Sequence, residues 1–202
     1  MNDKMSREDR NAGQAGQDGK RARRRVPDLR KTVIFAFLGA LMFLSKLLLE
    51  ALPNVHLIGV MIVAVTAVYR WEALWPIYVF VFLCGLFEGI NLWWVPYLYV
   101  WTVLWGAVML LPKKLPPKLM PIVYAAVCSL HGFLFGVLYA PFQAIVFGLN
   151  FEGTVAWVAA GFPFDCIHGV SNLCLSVLIL PLIKAIRLAE RAAAHGLPRK
   201  GQ

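Results

Sequence analysis

The stretch GFPFDCIHGVSNLCLSVLILPLI, residues 161–183, decides how this chain is read. It sets three polar side chains, Asp165, His168 and Asn172, at the mouth of a long apolar run. A charge carried into hydrocarbon costs about 2.5–3.5 kcal/mol on insertion scales. Spacings of three and four put all three residues on one helical face. Such a face is tolerated where it lines a water- or ligand-filled chamber, or where partners in the chamber wall hold it. A functional site is expected there.

The rest of the chain has the same apolar character. Of its 202 residues, 59% are hydrophobic and the mean hydropathy is +0.65. A soluble domain has an apolar share of about 45–50%. Apolar runs recur from Thr32 to Ile186, each near the ~20 residues that span a bilayer. The pattern predicts an all-α integral membrane protein with six transmembrane helices, near 32–51, 55–69, 73–90, 94–111, 119–140 and 164–187. The segment between the last two is apolar but punctuated by Pro141, Gly148, Gly153, Gly161 and Pro163. It reads as short helices or a re-entrant or capping segment rather than a clean span.

The basic residues orient this layout. Ten of the 20 Lys and Arg fall in residues 1–31, with five acids beside them. Outside that tail, every Lys and Arg except Lys46 falls in the turn after the second span, the loop PKKLPPK at 112–118, or the C-terminal end. The outer connections carry Glu50, His56, Glu88, Asn91, Asn150, Glu152 and Asp165 and no Arg. Both termini are therefore expected in the cytosol. Three regions follow: a disordered basic tail at 1–31, a six-helix membrane domain at 32–190 and a short cytosolic tail at 191–202.

The net charge of +9 would point to nucleic acid in a soluble chain. The cluster KRARRR at 20–25 has the composition that meets anionic lipid or RNA. Beside a first span it reads as a topology signal, and no nucleic-acid partner is expected. The tail is too long and polar for a secretory signal. Cys84, Cys128, Cys166 and Cys174 lie in apolar stretches without zinc spacing, so neither a disulfide framework nor a metal is expected.

At the outer level the layout gathers Lys46, Asn54, His56, Glu88, Asn91 and Trp94 with Asp165, His168 and Asn172, and these are the candidate substrate-binding residues. Trp93, Tyr97, Tyr99, Trp101 and Trp157 would close the chamber. Apolar walls with a few placed polar groups make a small-molecule pocket. Plainer roles stand beside this one. Lys46 has Glu50 one turn on, Asp165 follows Pro163 as a cap would, and His168 has backbone carbonyls to meet. An Asp-x-x-His pair also suits a metal or acid/base chemistry. Yet HExxH and a nucleophile elbow are both missing, and no enzyme activity or cofactor is expected. His131 could approach His168, although no spacing demands it. On the first helix, Ala36, Gly39 and Ala40 form a strip of small residues that another helix could approach closely.

These features together resemble the substrate-binding S component of an energy-coupling factor (ECF) transporter, a family of prokaryotic vitamin and micronutrient importers. Four features carry the resemblance across about 32–187: the size and six-span layout, the A-x-x-x-A of AFLGA at Ala36 and Ala40, the LPNVHL turn, and the Pro-Phe-Asp-x-x-His-x-x-x-Asn pattern at Pro163, Phe164, Asp165, His168 and Asn172. The long basic tail departs from the family pattern. The resemblance implies a plasma-membrane subunit that binds a vitamin-like molecule from outside. It would dock through its small-residue strip on a transmembrane coupling subunit driven by two ABC-type ATPases. The chain has no G-x-x-x-x-G-K-[ST], so ATP hydrolysis would fall to those partners. A stand-alone channel or permease, or an intramembrane enzyme, is the alternative.

Overall fold

The structure is a computed structural model that describes residues 29–112 and 116–195. The tail at 1–28, Lys113 to Leu115 and the C-terminal residues 196–202 lie outside the described residues, and with them most of both expected tails. Among the described residues the chain is helical, without strands. The helices are α1 (Leu29–Leu48), α2 (Ile58–Tyr69), α3 (Leu74–Glu88), α4 (Tyr97–Leu110), α5 (Met120–Phe133), α6 (Phe135–Phe147), α7 (Phe151–Leu175) and α8 (Ile179–His195). Short 3-10 turns at Arg70–Ala73 and Ser176–Leu178 join α2 to α3 and α7 to α8. By its contacts the chain divides into Met1–Ile34 and Phe35–Gln202. The described part of the first unit is the helical start of α1; the second holds everything that follows.

Four described stretches are long and apolar enough to cross a membrane: Leu29–Leu48, Ile58–Glu88, Met120–Phe147 and Phe151–Ala192, with Tyr97–Leu110 as a shorter apolar helix. This is a multi-pass membrane protein. The second and third expected spans both fall inside 58–88, which holds two separate helices, α2 and α3. Arg70 sits at φ 55°, a left-handed geometry that ends α2 and turns the chain. Its guanidinium then donates to the Met109 carbonyl at 2.7 Å and the Val108 carbonyl at 3.4 Å, placing a cation on the carbonyl end of α4.

Side-chain contacts give each helix its direction. Along α1 and α3, Gly39 meets Val79, Phe43 stacks on Phe87 and Lys46 reaches Glu88, so the two advance together. Phe35 against Tyr69 and Ser45 against Met61 run α2 the other way. Trp94 Nε1 donates to the Val81 carbonyl, and Tyr78 meets Leu98 and Thr102, which sets α4 opposite to α3. His131 meets the Val100 carbonyl and Tyr139 the Trp93 carbonyl, so α5 and α6 oppose α4. Finally Asn172 reaches Cys128, Asp165 reaches Gly136, and Tyr139 stacks on Trp157, which returns α7. At the centre α2 is buried along nearly its whole length, from Ile58 to Thr66. A helix that is apolar all round belongs inside a larger bundle.

One expectation is overturned. The segment 141–163 is no separate cap. Helix α6 continues through Pro141 to Phe147, and α7 begins at Phe151 and runs through Pro163. Neighbouring helices and apolar surroundings let proline persist inside such helices. The true break is the turn at 148–150. Gly148 takes φ 62°, closing α6, and the Asn150 side chain accepts from Gly153 N at 2.8 Å, capping α7. Helix α7 therefore begins thirteen residues before the expected start of the sixth span, near 164 (164 − 151).

Candidate functional site

The polar face of α7 does more than one job. Asp165 is 6% exposed, and both carboxylate oxygens accept from the Gly136 backbone N–H, at 3.0 and 3.1 Å. Gly136 lies in the first turn of α6, after the break at Leu134. The carboxylate thus satisfies a donor at the start of the neighbouring helix, where negative charge is favoured. A Cβ at Gly136 would collide with Asp165 Oδ2, so glycine gives the carboxylate access. Asn172 is fully buried and its amide donates to the Cys128 carbonyl at 3.0 Å. Ser129 Oγ donates to the Gly169 carbonyl at 2.9 Å, and Gly132 meets Gly169 where α5 and α7 touch backbone to backbone.

His168, between Asp165 and Asn172, joins a cluster of rings. It lies 4.6 Å from the His56 ring, 4.9 Å from Phe135 and 6.4 Å from His131, centroid to centroid. Trp101 on α4 lies 5.9 Å from His56, 5.7 Å from His131 and 5.5 Å from Phe135. Five segments of the chain supply these rings. His131 Nε2 meets the Val100 carbonyl at 3.0 Å. Four other ring nitrogens are covered and lack a partner: His56 Nδ1, Trp101 Nε1, His131 Nδ1 and His168 Nε2. Asn172 Oδ1 is in the same condition. Leaving a buried polar atom unsatisfied costs about 1–3 kcal/mol, and native folds hold few of them. Four on adjoining rings set this cluster apart as the candidate site. His56 belongs to the connection before α2 and is half-buried. Burial first, and then the neighbouring His131, hold its ring at a pKa of about 4, so it is neutral at neutral pH.

The other candidates are placed differently. Lys46 pairs with Glu88 at 2.5 Å, across α1 and α3, rather than with Glu50, and lies 6.0 Å from the Trp93 ring. Trp94 donates to Val81 and packs over Gly85, which fastens the connection between α3 and α4. Asn54 takes φ 57° in its turn, and its carbonyl accepts from Ser171 on α7 at 3.1 Å. Asn91 is exposed. On α1, Gly39 is buried against Val79 and Pro76 of the same chain, while Ala36 is exposed and Ala40 half-buried. The sequence left Trp101 among general aromatic closers and His131 without a role. The signal for both lies between helices, where spacing within one helix gives no guidance.

A groove of about 560 Å³ opens between α6 and α7, lined by residues such as Val137, Pro141, Val155 and Phe162. It is apolar and shares no lining residue with the ring cluster. Among the described residues no group of three or more His, Cys, Asp or Glu is arranged to hold a metal ion. No protein-family model matches the chain, and neither the curated proteins nor the solved structures give a match.

Proposed function

We propose that this chain is the substrate-binding S component of an ECF-type importer in a prokaryotic plasma membrane. In this reading the six alternating runs are six membrane passes, with both termini on the cytosolic side where the basic residues collect. The chain takes a vitamin or related micronutrient from outside and delivers it through a coupling subunit and two ABC-type ATPases. The observation that carries the reading is the ring cluster of His56, Trp101, His131 and His168. It has unpartnered nitrogens and takes one ring, His56, from the connection between α1 and α2. Aromatic walls with a few convergent polar atoms are what a small-molecule site requires. The His-x-x-x-Asn part of the pattern at 168–172 contributes one of those rings.

Docking falls to the outward part of the small-residue strip. Ala36 and Ala40 remain accessible on α1, whereas Gly39 is taken up by α3. Ala36→Trp is expected to leave substrate binding intact and to abolish both association with the coupling subunit and uptake. Normal uptake by that variant would remove the docking role.

The decisive experiment is mass spectrometry of small molecules released from the full chain, purified in mild detergent from a host grown in rich medium. A stoichiometric vitamin-like compound, with co-purifying coupling subunit and ATPases, is the expected result. An empty protein that associates with neither would overturn the proposal. Uptake that persists without the coupling subunit would favour a stand-alone permease instead.

A further inference from the structure

The ring cluster also carries information about what binds there, and this inference rests on the substrate-binding reading above. His131 donates through Nε2 to the Val100 carbonyl. In a neutral imidazole that leaves Nδ1 as a bare lone pair, an acceptor in want of a donor. Trp101 Nε1 can only donate, and it lacks an acceptor. The two rings are 5% and 0% exposed, with centroids 5.7 Å apart. A third covered nitrogen, on His168, belongs to a ring 1% exposed. The site therefore asks for donor and acceptor together.

It does not ask for charge. The Lys46 ammonium is held by Glu88, and the Asp165 carboxylate is held by Gly136. A charged ligand would be desolvated without a free counter-charge beside it. The walls favour a flat shape, because Trp101, Phe135 and His168 offer ring surfaces to one another and to His56. His56 alone comes from a non-helical connection, is half-buried and inserts a planar nitrogen ring between Trp101 and His168.

We propose that the place now filled by the His56 ring receives an uncharged planar nitrogen heterocycle carrying both a ring N–H and a bare ring nitrogen. Its N–H serves His131 Nδ1, its bare nitrogen accepts from Trp101 Nε1, and His56 swings aside with its connection to cover it.

The test uses three probes on the purified full chain, with binding measured by isothermal titration. Benzimidazole carries both features. Indole keeps the shape and the N–H but lacks the bare nitrogen. The 1,3-dimethylbenzimidazolium ion keeps the shape but is a fixed cation with neither. Benzimidazole is expected to bind at least about tenfold tighter than either comparator, one missing hydrogen bond being worth roughly that factor. Trp101→Phe, which keeps an aromatic wall and removes the Nε1 donor, is expected to weaken benzimidazole about tenfold and to leave indole, which has no bare nitrogen to lose, nearly unchanged. A Trp101 that served only as a wall would instead weaken benzimidazole and indole alike. Equal binding of all three probes, or no binding, overturns the inference. So does unchanged benzimidazole affinity in Trp101→Phe, equal weakening of benzimidazole and indole in that variant, or a protein whose ring nitrogens are served by water alone. Association with the coupling subunit and ATPases is scored on the same preparation. If association holds while benzimidazole fails, the heterocycle is refuted and the importer reading stands. If benzimidazole is selected without association, the site stands and the importer reading falls.

Discussion

Adding one methyl group to Gly132 tests the packing that holds the site together. Gly132 on α5 faces Gly169 on α7, and a Cβ there would stand 2.8 Å from Gly169 Cα, 2.9 Å from Gly169 N and 2.9 Å from Asn172 Nδ2. Comfortable contact begins near 3.4 Å. Two of the three obstacles are backbone atoms that cannot rotate away, so the helices must part by roughly 0.5 Å, and over-packing of this kind costs about 1–3 kcal/mol. Displacing the Asn172 amide from the Cys128 carbonyl adds about 1 kcal/mol. Against this, alanine exceeds glycine in helix propensity by about 1 kcal/mol. The net expectation for Gly132→Ala is a loss of about 1–3 kcal/mol. Gly106→Ala on α4 is the internal control. Its Cβ would meet nothing within 4 Å, so the propensity gain stands alone and stability should rise by up to about 1 kcal/mol. Equilibrium unfolding in mixed detergent micelles reads both signs against the parent chain. If Gly132→Ala is as stable as Gly106→Ala, α5 and α7 do not meet at these glycines, and the placement of Asn172 and His168 derived from that contact is wrong.

Three further outcomes are expected. Asp165→Ala orphans the Gly136 N–H and should cost about 1–3 kcal/mol, with Asp165→Asn recovering part of it because the amide oxygen still accepts; equal stability of all three chains would rule out the cap. Lys46 and Glu88 keep 20% and 22% of their side-chain surface, so a double-mutant cycle of Lys46→Gln and Glu88→Gln should give a coupling of about 1 kcal/mol or less that shrinks with salt, whereas zero coupling at low salt would place the pair apart. The folded His56 pKa, near 4, lies below the unfolded value of 6.5, so as pH falls the unfolded chain binds the proton first. The stability it contributes is complete above 6.5 and is lost as pH falls toward 4. His56→Gln should remove that part of the slope in unfolding measurements across this window, and an unchanged slope would show that the ring is not held neutral.

Much of the fold was legible because bilayer thickness imposes it. Runs such as 32–51 and 94–111 announced helices by length and apolarity, and the helices Leu29–Leu48 and Tyr97–Leu110 lie close to them. The reversal at 70–72 was marked by Arg70, whose charge cannot stay in hydrocarbon and which caps α4 instead. The misreading at 141–163 has an equally physical origin. Proline is a strong breaker in water, where a freed carbonyl finds solvent and the helix gains nothing by continuing. In an apolar bundle, interrupting the helix would expose still more backbone, so α6 and α7 carry Pro141 and Pro163 internally. The break went to Gly148 and Asn150, whose left-handed φ and side-chain cap satisfy the backbone at the turn.

The site was legible by face and illegible by partner. Spacing of three and four placed Asp165, His168 and Asn172 on one side of α7, and that side is buried. It gave no access to which helix each would meet. Asp165 and Asn172 hold helices together, and only His168 turns out to share the cluster with His56, where His131 and Trp101 join them from α5 and α4. The two kinds of residue are nonetheless coupled. Asp165 fixes the Gly136 N–H, Gly136 adjoins Phe135, and the Phe135 ring lies 4.9 Å from His168 and 5.5 Å from Trp101. On the proposed reading, Asp165 sets one wall of the ring cluster through Gly136 and Phe135 without itself meeting the ligand. Asp165→Ala should lose affinity for a ring ligand as well as stability, while Asp165→Asn, which keeps an acceptor at Gly136, should recover both together. Recovery of stability without recovery of affinity would place Asp165 in direct contact with the ligand, and the division of labour along this face would have to be redrawn.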